Sequence, residues 1–166
     1  MLNEKKRLFA SILPQLISIG KSDIKKPKIE ILEGKEGIKT ILNEILRLTK
    51  EWYAFNIPGK GPEILGPNVE AFEKERQKKK IKLYVICNTT KSAKERGAAF
   101  SKMKCTQVKY LGEPYESPAS NYIYSDRVVI IFWYEQFPFA VRIIDKNLAE
   151  SYKKYFFELW SMARIK

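Results

Sequence analysis

Ile81-Lys82-Leu83-Tyr84-Val85-Ile86-Cys87 is the stretch that decides the architecture. Its last five residues form an almost unbroken apolar run, the pattern of a strand covered on both faces, and such strands pair in parallel through crossover helices. Working toward the N-terminus, Gly66-Pro67 opens a mostly polar helix with Val69 and Phe72 as core anchors. Before it, residues 52–57 read as a strand running into the turn-rich Pro58-Gly59-Lys60-Gly61-Pro62. Earlier still, residues 28–32 alternate as a strand, and Ile38, Ile41, Leu42, Ile45 and Leu48 recur at helical spacing. Toward the C-terminus, residues 91–103 fit a helix whose Gly97, Ala98 and Ala99 permit close approach to a neighbour, and residues 107–111 form the next strand. This alternation of strand and helix predicts parallel pairing. Residues 121–124, the Ser125-Asp126 turn, 128–134 and 139–144 are strands with short connections, which predicts an antiparallel meander. The last element is a helix with Leu148, Tyr152, Tyr155, Phe156, Leu159 and Ala163 on one face and a capping-box start at Asn147 and Glu150. The fold class is therefore α/β.

The chain divides into residues 1–26, a helical linker and dimerisation segment, and residues 27–166, one globular domain. In the first segment Leu2, Phe9, Ile12, Leu16 and Ile19 step by threes and fours, a short seam of coiled-coil type broken at Lys5. Phe9, Ile12, Leu16 and Ile19 are the candidate dimerisation residues, and a homodimer is expected because so apolar a seam needs a cover. Pro14 predicts a kink or a helix restart. Residues 20–27, polar and turn-rich, predict a flexible connection. With 166 residues and 45% hydrophobic content, one domain has enough apolar material for a core. The longest apolar run, residues 128–134, is far short of the roughly 20 residues of a membrane-spanning helix. No membrane association is expected, and the charged N-terminus without a small-residue cleavage site places the chain in the cytoplasm.

Composition removes most chemistries. The chain has no histidine and two cysteines, Cys87 and Cys105, both expected as buried hydrophobes. Ser/His/Asp and Cys/His nucleophilic systems are excluded, and no soft-ligand metal site can be assembled. Carboxylates such as Glu73, Glu75 and Glu95 stand beside lysines and read as surface charges. The loop at Pro58-Gly59-Lys60-Gly61-Pro62 lacks the spacing of a phosphate loop. No catalytic residue, metal ligand or cofactor is assigned. The net charge of +12 is concentrated between Lys74 and Lys109, where twelve Lys and Arg stand against two Glu. Lys74, Arg76, Lys78, Lys79, Lys80 and Lys82 form the candidate basic patch, and residues 74–109 make a basic nucleic-acid-binding protein the alternative reading. No aromatic residue interleaves Lys78 to Lys80 as a base-stacking platform requires.

Several motifs occur together in a fixed order. Lys28-Ile29-Glu30-Ile31-Leu32-Glu33-Gly34-Lys35-Glu36-Gly37-Ile38 resembles the strand, E-G-x-x-G-I, helix opening of the TrmB-family regulatory domain. Trp52-Tyr53-Ala54-Phe55-Asn56-Ile57-Pro58 resembles its first core strand, and residues 78–88 its K-K-x-I-K-x-x-x-I-x-N strand. Residues 122–131 are similar to its Y-I-Y-x-D-K-V-x-I hairpin, and the aromatic C-terminal helix also fits. The resemblance covers residues 10–163. It implies a phospholipase D-like mixed sheet flanked by helices, behind an N-terminal linker helix. Active members of that fold carry His-x-Lys-x4-Asp; with Asp126 as the aspartate, Ala119 stands for the histidine and Asn121 for the lysine. The resemblance thus implies a non-catalytic effector and dimerisation module of an archaeal-type transcription regulator, with a degenerate cleft open to a small metabolite. DNA would be reached only through an attached or partner winged helix, and the residues given contain neither that head nor a sugar-binding β-domain. Asn56, Asn88, Ser120 and Asn121, polar residues at strand ends, are the candidate ligand contacts.

Overall fold

The computed structural model describes residues 2–23, 25–112 and 117–166, with the side chains of residues 2 and 15–23 outside that description. The chain order is α1 (Leu2–Asp23), β1 (Lys28–Glu33), α2 (Gly34–Leu48), β2 (Glu51–Ile57), α3 (Gly61–Leu65), α4 (Pro67–Lys78), β3 (Lys82–Cys87), α5 (Lys91–Ser101), β4 (Thr106–Tyr110), β5 (Ala119–Tyr124), β6 (Arg127–Phe132), β7 (Phe139–Ile144) and α6 (Lys146–Met162). The strands form one seven-stranded sheet in the order β1-β7-β6-β5-β2-β3-β4.

β2, β3 and β4 pair in parallel, as the apolar run at residues 83–87 predicts. β5, β6 and β7 form the expected antiparallel meander, and a two-residue turn at Ser125 and Asp126 joins Tyr124 to Arg127. β1 departs from the parallel expectation: it crosses to the far edge and pairs antiparallel with β7. A strand–helix–strand order leaves open which edge a strand joins. The register there is set by an ion-pair network instead. Arg142 on β7 is paired with Glu30 on β1 and Glu44 on α2, and Glu44 also accepts a hydrogen bond from the Tyr124 hydroxyl at 2.8 Å.

Strand alternation sends two sets of side chains to opposite faces. On one face Trp52, Ala54, Leu83, Val85, Tyr122 and Val129 pack beneath α2 to α5. On the other, Tyr53, Phe55, Ile86, Ile123 and Val128 pack against Phe156 and its neighbours on α6. Two close approaches need glycine. A Cβ on Gly37 would lie 2.5 Å from the Leu32 carbonyl carbon, and one on Gly97 would lie 2.7 Å from Cε1 of Tyr110, so α5 does sit tight on β4.

Local expectations are corrected in four places. α1 runs through Pro14 as one helix and continues over Gly20 to Asp23, because a missing backbone donor or a glycine is tolerated where no competing turn forms; the connection shortens to residues 25–27 among those described. α6 begins two residues earlier than expected, with the Asp145 carboxylate accepting from the Leu148 N–H at 2.7 Å, so Asp145 and not Asn147 is the cap. Tyr155, expected on the core face, is half exposed and only edges against Phe55. Cys105 is exposed, held at φ 56° in the turn before β4, while Cys87 is buried as expected. Among the described residues no helix is long and apolar enough to cross a membrane.

Candidate functional site

The parallel strands bring Asn56 and Asn88 to one end of the sheet, where β5 also starts. Asn56 lies in a left-handed conformation, φ 60°, where the β2 register shifts between Phe55 and Ile57. Its amide donates to Ser117 Oγ at 2.8 Å and to the Ala119 carbonyl at 3.2 Å. Asn88 is buried, and its side-chain oxygen accepts from the Thr89 N–H at 2.5 Å. Ser120 is fully buried and accepts from the Trp133 indole at 2.6 Å. Asn121, half-buried, belongs to the opposite face, the α6 side. The four candidates thus share an end of the sheet and not a pocket.

The positions that carry the phospholipase motif are legible in this geometry. Ala119 and Asn121 stand on alternate residues of β5, on the α6 side. Asp126 lies in the hairpin turn at the other end of β5. The same side of the sheet is uncovered beyond α6. Ile29 and Ile31 on β1 are 66% and 65% exposed, and they pair with Ile143 and Val141 on β7. Next to them Phe132 and Phe139 stack at 4.5 Å, with Tyr134 beside them.

Beneath α3 and α4, on the other face, lies a cavity of about 40 Å³, lined by Trp52, Phe72, Glu73, Arg96, Ser120 and Tyr122 among others. Of the four candidate ligand residues only Ser120 reaches it. Sequence reasoning missed Arg96 and took Glu73 for a surface charge. Glu73 is buried and bound to Arg76 at 2.7 Å. The available signal was the i,i+3 spacing of Glu73 and Arg76 on the same turn as the core anchor Phe72.

The basic patch is corrected at one position. Arg76 is fully buried, donating to the Ile81 carbonyl at 2.8 Å and to Thr106 Oγ1 at 2.7 Å, so it fastens the starts of β3 and β4. Lys74, Lys78, Lys79, Lys80 and Lys82 are exposed, and Lys102 and Lys104 join them where β3 and β4 begin. Lys109 is withdrawn over the Trp160 ring. Of the dimerisation residues, Phe9 and Ile12 are exposed along with Leu8 and Leu13. The side chains of Leu16 and Ile19 lie outside the described residues.

No family model matches the sequence, and no curated protein matches it. Solved structures match over most of its length. TrmBL2, an archaeal chromatin protein whose structure shows a novel mode of DNA binding, superposes with a TM-score of 0.58 at 16% identity, over 99% of this chain and 64% of that one. NucT from Helicobacter pylori gives 0.63 at 11% identity, over 84% of this chain and 99% of that one. Nuc from Salmonella typhimurium, a phospholipase D family member, gives 0.52 at 13% identity, over 84% and 97%. The chain therefore spans less than two thirds of the TrmBL2 chain but nearly the whole of the NucT and Nuc chains. Its fold is the phospholipase D-like mixed sheet flanked by helices that these structures share.

Proposed function

We propose that this chain is the non-catalytic effector and dimerisation module of a TrmB-like transcription regulator. The observation that carries the reading is the replacement of the fold's nucleophile: Ala119 and Asn121 occupy the positions of the histidine and lysine, in a sequence without histidine. Without an imidazole the fold cannot form its phosphoenzyme intermediate, so a phosphodiesterase role is lost and a binding role remains. The likeness to TrmBL2 across 99% of the chain supports a place behind a DNA-binding head, supplied by an attached or partner winged helix. A degenerate cleft takes a small-molecule effector, and α1 with the uncovered β1-β7-β6 face takes a second copy.

Two apolar surfaces support the dimer. Leu8, Phe9, Ile12 and Leu13 are exposed along α1, and Ile29 and Ile31 are exposed on the edge strand β1. Apolar area of this extent is rarely left to water in a monomer. Light scattering over a dilution series tests it: twice the chain mass is expected, falling toward monomer when Phe9 and Leu16 are replaced by Ser or when residues 27–166 are studied alone. Monomer mass throughout would defeat the reading. In parallel, bis(p-nitrophenyl) phosphate should show no turnover that follows the protein through repurification.

A second reading rests on the exposed lysines of α4 and the starts of β3 and β4. They place a dense positive rim at the end of the sheet opposite Asn56 and Asn88. Direct binding of nucleic acid there would be electrostatic, since no base-stacking aromatic is interleaved with it.

A further inference from the structure

The cavity beneath α3 and α4 has a charge and hydrogen-bonding inventory that its own residues leave open. Glu73 is the carboxylate among Arg76, Arg96 and itself, so the three side chains together carry one excess positive charge. Arg76 claims that carboxylate: its Nε donates to Glu73 Oε2 at 2.7 Å, and its other nitrogens are spent on the Ile81 and Cys105 carbonyls and Thr106. Arg96 keeps a contact of 3.5 Å to Glu73 Oε1, and its Cζ lies over the Phe100 ring, 4.0 Å from the centroid. Burial disfavours the charge on Arg96, and the Glu73 carboxylate opposes that effect. A second donor is orphaned in the same wall. Trp52 is 3% exposed and lines the cavity, and its indole N–H has no acceptor among the described residues. A buried N–H without a partner is costly to leave unpaired, so such a group calls for an acceptor brought from outside. Tyr122 completes the wall; burial pushes its phenol pKa up, which keeps the hydroxyl protonated and able to donate.

Lys60 and Ser120 also line the cavity, and most of the rest of the wall is apolar, Leu42, Leu65, Val69 and Phe72 included. A space of about 40 Å³ compares with roughly 10–15 Å³ needed per water, so it holds about three water-sized groups. That matches a carboxylate with a very short aliphatic tail.

We propose that this cavity binds a small aliphatic monocarboxylate, of acetate or propionate size, with its carboxylate on the Arg96 guanidinium and the Trp52 indole N–H and its methyl end among Leu42, Val69 and Phe72. The carboxylate neutralises the excess charge of the Arg76–Glu73–Arg96 group and satisfies the orphaned donor in one step. A neutral molecule of the same shape does only part of this. This cavity lies on the face of the sheet opposite Ala119 and Asn121, so it is a site apart from the degenerate cleft; its use as an effector site rests on the regulatory reading, while the binding itself is a property of this chain's own residues.

The test uses the whole chain titrated with sodium acetate, propionate and butyrate at constant ionic strength, with sodium chloride and propionamide as controls. Binding is followed by the Trp indole N–H resonances, that of Trp52 assigned through Trp52→Phe, and by thermal unfolding. The expected result is a saturable downfield shift of the Trp52 N–H with propionate, and binding of propionamide weaker by about tenfold or more, as loss of a charge-assisted hydrogen bond implies. Arg96→Leu should abolish saturation, while Arg96→Lys should retain part of it. Should Arg96→Leu fail to fold, Trp52→Phe keeps the ring packing and should weaken propionate severalfold in the thermal assay. An unmoved Trp52 resonance, or equal binding of acid and amide, would overturn the proposal. Saturable binding with no change in oligomeric mass or in coupling to a DNA-binding head upholds the site and overturns the effector reading alone.

Discussion

Cys87 and Cys105 meet opposite surroundings. Burial pushes the Cys87 thiol up to about 12, whereas Cys105 stands exposed in the turn before β4. A native chain is expected to release one rapid equivalent of thiol with an aromatic disulfide reagent near neutral pH, and the second only on unfolding. Two rapid equivalents would contradict the burial of Cys87. Glu30 provides the pH-sensitive counterpart. A hydrogen bond from Lys28 first, then that from Arg142, holds its carboxyl down to about 2 from an ordinary value of 4.5. A carboxylate whose folded pKa is depressed stabilises the fold above its unfolded pKa and loses that contribution as pH falls through the folded one. The stability gap between the parent and Glu30→Gln should therefore be constant above about pH 5 and close between about pH 4.5 and 2. Urea unfolding at a series of pH values measures it, and a gap that persists at pH 2 would contradict the Lys28–Glu30–Arg142 linkage. Neither the Cys105 exposure nor the Glu30 pairing is legible in sequence, since both depend on which strand lies beside which.

α6 covers its part of the sheet through few side chains. Phe156 is fully buried, edge-on to Tyr53 at 5.3 Å and stacked with Trp160 at 5.6 Å, and Ala149 is the other residue of the helix that is closed to solvent. Phe156→Ala is expected to cost about 3–5 kcal/mol, the range for deleting a buried aromatic ring. Equivalent truncation of the exposed Phe157 should cost far less, and similar losses for both in denaturant unfolding would refute this packing. The helical faces of α2 and α6 were legible from their 3.6-residue periodicity, because one side of each must meet a core. Their ends were less so. The α6 start moved to Asp145 because a carboxylate directly before the helix meets the free N–H of Leu148 better than Asn147 does from within it. α1 likewise overran the expected break at Pro14 and the connection at Gly20.

At the scale of the whole molecule the exposed lysines gather on one end of the sheet, where each strand start adds its own charge. Duplex DNA is expected to bind this rim weakly and without sequence preference, with log K falling against log salt by about 0.9 per phosphate neutralised. Fluorescence anisotropy at several salt concentrations measures the slope; Lys79→Glu with Lys82→Glu should reduce it, and a strong preference for one sequence would argue for base readout instead. The sequence by itself determined the α/β class, the parallel run β2–β3–β4, the β5–β6–β7 meander and the absence of histidine chemistry. Each of these follows from local periodicity, turn spacing or residue type, which need no knowledge of distant neighbours. Only the tertiary structure decided that β1 crosses to β7, that Arg76 leaves the basic patch for the interior, and that Trp52 and Arg96 meet across one cavity. These are contacts between residues far apart in the chain, and they are settled by which burial leaves the fewest charges and donors unpaired, a balance that no local pattern carries.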